Sequence, residues 1–459
     1  MAGPSKKKIK ISEAVDKEDK KLDSFLQWCA KEDFQLNPKV HVGREGSCAQ
    51  YGMVAQEELE EGECLFKVDK SAVLSTETTE IAHLLKEETS LHGDSLHGDS
   101  GWVPQILALM YEYTNPNSRW RPYLQLVPDF SQLDQPMFWT EDEIERDLCN
   151  TGIPEASSSD LTKMKLEYTS LALPFIRKHR HIFSEEVHSF ELYKRMVAFI
   201  MAYSFFEPVN GREDEGGKSS LPLMVPMADI LNHVAKNNAQ LEWDADCLRM
   251  VTTRTVAAGE EVFNTFGQLA NWQLLHMYGF AEAWPENIYD TVDIPMQVVL
   301  EEARRAAGPD DAQLLEEKWQ FLEDQGAVSE SGSFIAGMEG ILTEEEVCES
   351  LKVLCMSEEE FREHQEKEGC CDCCASEEER SLSYDQLPNL PEAWRSLLAA
   401  AARLCMGKYR NTLQTNEQLL SKESWGKLSK RQQWSLLVCY GQQKLLHRII
   451  TSCLPEASQ

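Results

Sequence analysis

The sequence is short of basic residues. Its 459 residues contain 45 lysines and arginines against 77 aspartates and glutamates, which gives a formal net charge of -32 at pH 7. Proteins that bind nucleic acid or an anionic membrane face neutralise phosphates with clustered Lys and Arg. The charge balance therefore argues against both kinds of partner. It favours basic proteins, because a negative surface attracts them.

Long apolar runs and a secretory signal are also missing. The most apolar stretches, Leu221–Leu231 and Leu397–Met406, are shorter than the roughly 20 residues of a membrane-spanning helix. The first 20 residues form a charged tail that we expect to be disordered and not to direct export. The 14 cysteines are then expected to be reduced thiols in the nucleus or cytoplasm. The run Lys6–Lys10 is as typical of a nuclear address as of a solvated tail.

Common catalytic and metal-binding signatures are absent as well. The sequence contains no G-x-x-x-x-G-K-[ST] phosphate loop, no G-x-S-x-G turn and no H-E-x-x-H zinc motif. The cysteines of 370–374 form two overlapping C-x-x-C pairs, but no second pair follows at zinc-finger spacing. We therefore favour an acidic loop over Glu358–Glu379 rather than a metal site. The repeated pentapeptide of Ser90–Asp94 and Ser95–Asp99 favours a duplicated surface loop over a histidine metal site.

The first half of the chain combines a β-rich frame with a helical insertion. A helix is predicted from Lys21, where apolar residues recur at helical spacing. Short strands broken by glycines follow over Val40–Val73. The Gly-Glu turn and apolar strand of Glu61–Phe66 return at Ala258–Phe263. We therefore predict one β-domain, split by a mainly helical insertion over about 75–215. Helices of the insertion are predicted at Trp102–Tyr113 and Glu185–Phe206.

The second half returns to strands and then becomes helical. Strands are predicted at Leu221–Ile230, Gln240–Trp243, Leu248–Thr253 and Glu261–Thr265. A helix over about 269–276 ends before Gly279. Beyond about residue 290 the pattern is helical, and two long amphipathic segments at about 393–421 and 427–452 close the chain.

Two segments carry polar and aromatic residues suited to a binding site. Asp229–His233 places Asp, Asn and His at a predicted strand end, where sites often lie, although read alone it favours a hydrogen-bonded turn. The second segment runs from Phe263–Gly267 through Asn271 to His276–Phe280. On its own it is consistent with a helix that has an aromatic core face and a glycine C-cap.

In their order and spacing, these segments resemble a split SET domain. The residues that carry the resemblance are Tyr51–Ala55, Asp229–His233 and Gly259–Phe280. The similarity is to the Rubisco large-subunit lysine methyltransferase class, and it covers nearly the whole chain. It implies an α+β fold, in which a β-rich SET domain with a pseudoknot occupies 21–290 and is split by the helical insertion. An all-helical substrate-binding domain would follow over 291–459.

The resemblance also implies roles for individual residues. S-adenosylmethionine would be the cofactor, held by Ala49, Gln50, Tyr51, Tyr203, Asn232, His233 and Tyr278. The substrate would be a lysine-bearing nuclear protein, a histone or a transcription factor, contacted by Trp102, Phe206 and Asp229. Phe266 and Tyr278 would occupy the catalytic positions, and no metal is implied. The expected location is the nucleus, with the cytoplasm as a second compartment.

Methyl transfer suits these residue types. Displacement from a sulfonium requires an aligned, uncharged amine more than a strong acid or base. A free lysine has a pKa of about 10.4. A desolvated aromatic channel beside a cationic cofactor lowers that pKa and frees the lone pair.

Phe266 departs from the family pattern, in which this position is typically a tyrosine. Phenylalanine keeps the ring but cannot hydrogen-bond the amine, and one lost preorganised donor costs about 10²–10³ in rate. Three alternatives to a lysine methyltransferase therefore stay open. They are a catalytically silent SET-fold protein that binds cofactor and lysine peptide, a histidine methyltransferase, and an acidic helical scaffold.

Overall fold

The computed structural model describes residues 20–44, 46–47, 51–92, 96, 98–126, 133–208, 221–308, 311–368 and 382–454. The chain divides into two compact units. The first comprises Met1–Phe138, Ser157–Gln268 and Met277–Gly279, and the second comprises Trp139–Ala156, Leu269–His276 and Phe280–Gln459. Among the described residues, no helix has the length and apolarity to cross a bilayer. The cysteine cluster 370–374 lies outside the described residues, so the structure does not test it.

Two four-stranded sheets form the frame of the first unit. The strands up to residue 264 are β1 (Gln35–Leu36), β2 (Val40–Gly43), β3 (Gly52–Ala55), β4 (Cys64–Asp69), β5 (Ser204–Phe205), β6 (Leu223–Met224), β7 (Asn232–His233), β8 (Ala239–Trp243), β9 (Cys247–Thr252) and β10 (Glu261–Asn264). The sheet orders are β1-β4-β9-β8 and β2-β3-β10-β7, while β5 and β6 pair with each other. The predicted strands at 240–243, 248–253 and 261–265 are thereby confirmed to within a residue or two.

Strand β10 joins the two parts of the split frame. It runs antiparallel to β3, with Val262 opposite Met53, and parallel to β7, with Phe263 opposite Asn232 and Asn264 opposite His233. Val262 and Met53 are fully buried, which anchors this register in the core. Because β7 and β10 are parallel, the residues that follow them emerge at the same edge of the sheet.

The insertion is mainly helical, as predicted. The helices up to residue 203 are α1 (20–31), α2 (Ala82–His92), α3 (Val103–Thr114), α4 (Arg121–Leu126), α5 (Glu141–Leu148), α6 (Ile153–Glu167), α7 (Leu173–Lys178) and α8 (Phe190–Tyr203). The prediction of a helix over Glu185–Phe206 was too long at both ends. Before α8, the His188 ring accepts from the Ser184 backbone N–H at 3.1 Å and holds a turn. After α8, the chain extends to pair as β5 with β6.

The predicted strand Leu221–Ile230 was wrong over most of its length. Only Leu223–Met224 forms a strand, and a 3₁₀ turn at Ala228–Ile230 follows. Pro226 cannot donate to a ladder, and Met227 adopts a left-handed φ of 78°. The backbone therefore turns before Asp229 and becomes extended again only at β7.

The second unit is largely helical, but the prediction of an all-helical domain over 291–459 was wrong, because β11 and β12 pair there as a two-stranded antiparallel sheet. Its remaining elements are α9 (Asn271–Tyr278, whose last two residues belong to the first unit), β11 (Val292–Pro295), α10 (Met296–Ala306), α11 (Ala312–Asp324), β12 (Ser333–Ala336), α12 (Glu344–Cys355), α13 (Glu358–Glu368), α14 (Glu392–Gly407), α15 (Leu413–Leu419), α16 (Lys422–Trp425) and α17 (Lys430–Cys453). Helix α17 begins at a capping box between Ser429 and Gln432. The segment 393–421, predicted as one helix, breaks after Gly407, and Thr412 then caps α15.

Candidate active site

Three aromatic rings stack at the edge where β7 and β10 end. The His233 ring lies 5.1 Å from the Phe266 ring at an interplanar angle of 29°, and Phe266 lies 4.8 Å from Tyr278 at 24°. The Phe266 backbone N–H donates to His233 Nδ1 at 2.9 Å. The parallel register of β7 and β10 thus brings His233 beside Phe266, and the end of α9 adds Tyr278 to the stack.

The ring stack is uncharged at neutral pH. Burial lowers the pKa of His233 to about 4, and its Nδ1 acts as an acceptor, so Nε2 carries the proton. Burial also raises the pKa of Tyr278 to about 12, which keeps its phenol protonated. The faces of neutral aromatic rings attract cations, and no protonated imidazole opposes a positive ligand here.

Asn232 connects the stack to the N-terminal strands. Its Nδ2 donates to the Tyr51 carbonyl at 3.1 Å and to Glu261 Oε1 at 2.6 Å. Glu261 Oε2 also accepts from the Ser47 backbone N–H at 3.0 Å. A Cβ at Gly52 would lie 2.7 Å from Glu261 Oε1, so glycine is required for this close approach. Ala49 and Gln50, which precede Tyr51, lie outside the described residues.

Asp229 lies in a second polar cluster of the first unit. Tyr123 donates its hydroxyl to Asp229 Oδ2 at 2.6 Å. Burial raises the pKa of Asp229 to about 7. Burial, with the Asp229 charge as a lesser cause, also raises the pKa of Tyr203, whose ring centroid lies 5.4 Å from that of Phe199 at an interplanar angle of 47°. Asp229 is therefore a buried carboxyl that accepts a hydrogen bond from one phenol and lies near a second.

Trp102 and Phe206 form an aromatic pair with a solvent-exposed side. Their ring centroids are 6.4 Å apart, and Phe206 is 44% exposed. The loop before Trp102 is anchored by buried Glu167, which accepts from the backbone N–H and the hydroxyl of Ser100 at 2.9 and 3.0 Å. The pair offers an apolar surface that can contact a partner.

Sequence reasoning missed the residues that support these groups. Glu261 and Tyr123 hold predicted site residues, but only the fold places them there. Asn264, on β10 opposite His233, is buried, and its Nδ2 has no hydrogen-bond partner within the described part of the chain. A polar residue at a core position of a strand is the signal that could have identified Asn264.

Two protein-family profiles match the chain. The SET domain matches residues 50–267, and the Rubisco LSMT substrate-binding domain matches residues 309–446. The first covers the split frame with its insertion, and the second covers most of the C-terminal helices.

Characterised relatives are similar over nearly their whole length. The chain is 48% identical to rat N-lysine methyltransferase SETD6 over 93% of this chain and 89% of that protein. It is 45% identical to the human protein, over 93% of this chain and 94% of that protein. It is 46% identical to the Atlantic salmon protein, over 95% of this chain and 97% of that protein.

Solved structures share the fold at lower identity. Rubisco LSMT bound to AdoMet superposes with a TM-score of 0.64 at 18% identity, covering 94% of this chain and 90% of that one. The SET domain of LSMT bound to lysine and AdoHcy gives a TM-score of 0.62 at the same identity. The predicted SET fold, with its helical C-terminal region, is confirmed.

Proposed function

The chain belongs to the SETD6 family of N-lysine methyltransferases, and we propose that it methylates the ε-amine of a lysine in a nuclear protein. Family membership makes S-adenosylmethionine the methyl donor. The observation that carries the proposal is the neutral stack of His233, Phe266 and Tyr278, which the parallel pairing of β7 and β10 and the end of α9 bring together.

The residues at the sheet edge fit the cofactor. It is a sulfonium cation with an amino-acid end and an adenine, and it supplies an activated methyl group. Neutral ring faces, and the Nδ2 of Asn264, which has no hydrogen-bond partner among the described residues, offer the cation and polar contacts that such a molecule uses. Asn232 and His233 would hold it from β7, with Tyr203 and the backbone of Ala49, Gln50 and Tyr51. These assignments rest on the resemblance.

The acceptor lysine must arrive without its proton. Desolvation lowers the pKa of an amine, and the uncharged rings avoid the carboxylate that would stabilise the ammonium. Tyr278 stays protonated, so its hydroxyl can orient the amine without a change of charge. The chain's own contribution is alignment and exclusion of water.

The substrate side is assigned to Trp102, Phe206 and Asp229. The exposed aromatic pair would pack on residues flanking the lysine. The resemblance assigns Asp229, which is bonded to Tyr123, to the same side of the site. The charge of -32 supports a basic protein as substrate, and the run Lys6–Lys10 supports the nucleus as location.

A second candidate, a silent binder of cofactor and lysine peptide, is favoured by Phe266. The ring fills the stack but brings no hydroxyl to it. The two candidates differ in turnover and agree in cofactor binding.

The test is transfer of labelled methyl from S-adenosylmethionine to nuclear-extract proteins by the full chain. The acceptor residues are identified by fragmentation mass spectrometry. Label on lysine is the expected result. Label on histidine would show that the chain is a histidine methyltransferase. Cofactor binding without any labelled protein would show that it is a catalytically silent binder.

A further inference from the structure

Gln135 makes two hydrogen bonds with one buried amide group. Its side chain is fully buried, and Nε2 donates to the Ala198 carbonyl at 2.9 Å and to the Met277 carbonyl at 3.1 Å. An amide nitrogen carries two hydrogens, so both of its donors are used. The two carbonyls belong to different elements of the first unit.

The Met277 carbonyl requires a donor from outside its helix. Helix α9 ends at Tyr278, and Gly279 adopts a φ of 81°, so no N–H follows four residues later within the helix. Gln135 supplies that donor. The Cβ position of Gly279 would lie 3.5 Å from the Gln135 backbone nitrogen, so the two segments are in close contact.

The same amide reaches the helix that carries Tyr203. Ala198 lies in α8, which ends at Tyr203. One side chain therefore ties the peptide next to Tyr278 to the helix of a second proposed site tyrosine.

The arrangement leaves one acceptor unsatisfied. Gln135 Oε1 is buried without a hydrogen-bond partner in the described part of the chain. A buried acceptor without a donor is destabilising, and an apolar side chain of the same shape would avoid that penalty. Methionine has a similar shape but would lose the two hydrogen bonds to the carbonyls of Ala198 and Met277. These two bonds are therefore the advantage of glutamine at this position.

We propose that Gln135 is a positioning residue that holds Tyr278 in the ring stack by fixing the Met277 peptide to α8. The expected effect on kcat rests on the proposed function, whereas the expected effect on hydrogen–deuterium exchange does not. Loss of the amide would free the last turn of α9 and misplace the Tyr278 hydroxyl relative to the amine.

The test compares Gln135→Met with Gln105→Met in the full chain. Gln105 is a matched control: it is fully buried, its Nε2 donates to the Leu74 carbonyl at 3.1 Å, and its Oε1 also has no partner among the described residues. Hydrogen–deuterium exchange of the peptide 271–280 is expected to be about tenfold faster in Gln135→Met and unchanged in Gln105→Met. The kcat of methyl transfer is expected to fall about tenfold or more, with the KM of the acceptor little changed.

Equal exchange rates of the peptide 271–280 and equal kcat values in the two variants would overturn the inference. Gln135 would then support the fold in the same way as Gln105 and would not position Tyr278. If Gln135→Met does not fold, Gln135→Glu, which turns an acceptor towards both carbonyls, is measured by the same readouts. A wild-type chain that forms no product would refute the proposed function, while the exchange data would still decide the role of Gln135.

Discussion

Phe266 is the residue on which the proposed chemistry depends most. It is held between His233 and Tyr278, and its own backbone N–H fixes the His233 ring. A phenol at this position would stand in the same stack and add one donor in a desolvated site. Such a donor stabilises a transition state far more than it would in water.

Phe266→Tyr is accordingly expected to raise kcat by about 10²–10³ without changing the affinity for S-adenosylmethionine. Steady-state kinetics on a lysine peptide measures the first quantity and calorimetry the second. Phe263→Tyr, in β10 three residues before Phe266 and half-buried, is the control and should leave kcat unchanged. An unaltered kcat in Phe266→Tyr would show that Tyr278 and backbone groups suffice.

Single residues were also the scale at which the sequence was most informative. The order of the motifs pointed to Asn232, His233 and Tyr278, and the structure brings His233 and Tyr278 into one stack. Their supports could not be predicted. The bond from Tyr123 to Asp229 and that from Gln135 to Met277 depend on contacts between distant parts of the chain.

Secondary-structure elements show where periodicity suffices and where it does not. Amphipathic spacing predicted α3 within a residue at each end and α17 closely. It failed over Leu221–Ile230, because a buried apolar run has no period and Met227 breaks the strand through its backbone conformation. The parallel register of β7 and β10 has no local signal, since it joins segments separated by two other strands.

Close packing of α17 leads to a second prediction. A Cβ at Gly441 would overlap the carboxylate of buried Asp290, which also accepts from the Asn271 backbone N–H at 2.9 Å. Gly441→Ala gains about 1 kcal/mol of helix propensity, but overpacking costs about 1–3 kcal/mol. We expect a net loss of up to about 2 kcal/mol in the free energy of unfolding, measured by urea denaturation.

Gly407→Ala provides the comparison. It lies at the end of α14, with no atom within 4 Å of the position a Cβ would take. The free energy of unfolding of the Gly407→Ala variant should stay the same or rise slightly. A Gly441→Ala protein as stable as Gly407→Ala would contradict the packing described for Asp290.

The whole molecule combines two units that composition alone could not delimit. Residues 139–156 precede most of the SET frame in the chain but belong to the second unit. Arg431 of α17 donates to Glu143 of α5 at 2.7 Å, and Cys439 contacts the Asp147 carbonyl at 3.5 Å. Such long-range pairing is invisible to local patterns, so the predicted boundary near 290 remains a prediction.

The net charge of -32 gives a third prediction at this scale. If a negative surface attracts basic substrates, the KM of a Lys-rich acceptor should rise several-fold between about 50 mM and about 300 mM NaCl, because salt shortens the Debye length. The kcat at saturation should change little. A KM independent of salt would show that the charge plays no part in substrate capture.

Calorimetric titration of S-adenosylmethionine into the full chain tests the proposed cofactor site most directly. We expect one-to-one binding in the wild type and in Asn237→Ala, whose side-chain Nδ2 donates to the nearby Ala239 carbonyl at 2.8 Å. Asn232→Ala, which loses the bonds to Tyr51 and Glu261, should bind at least about tenfold more weakly. No binding by the wild type, or equal affinity in both variants, would contradict a cofactor site at the β7–β10 edge.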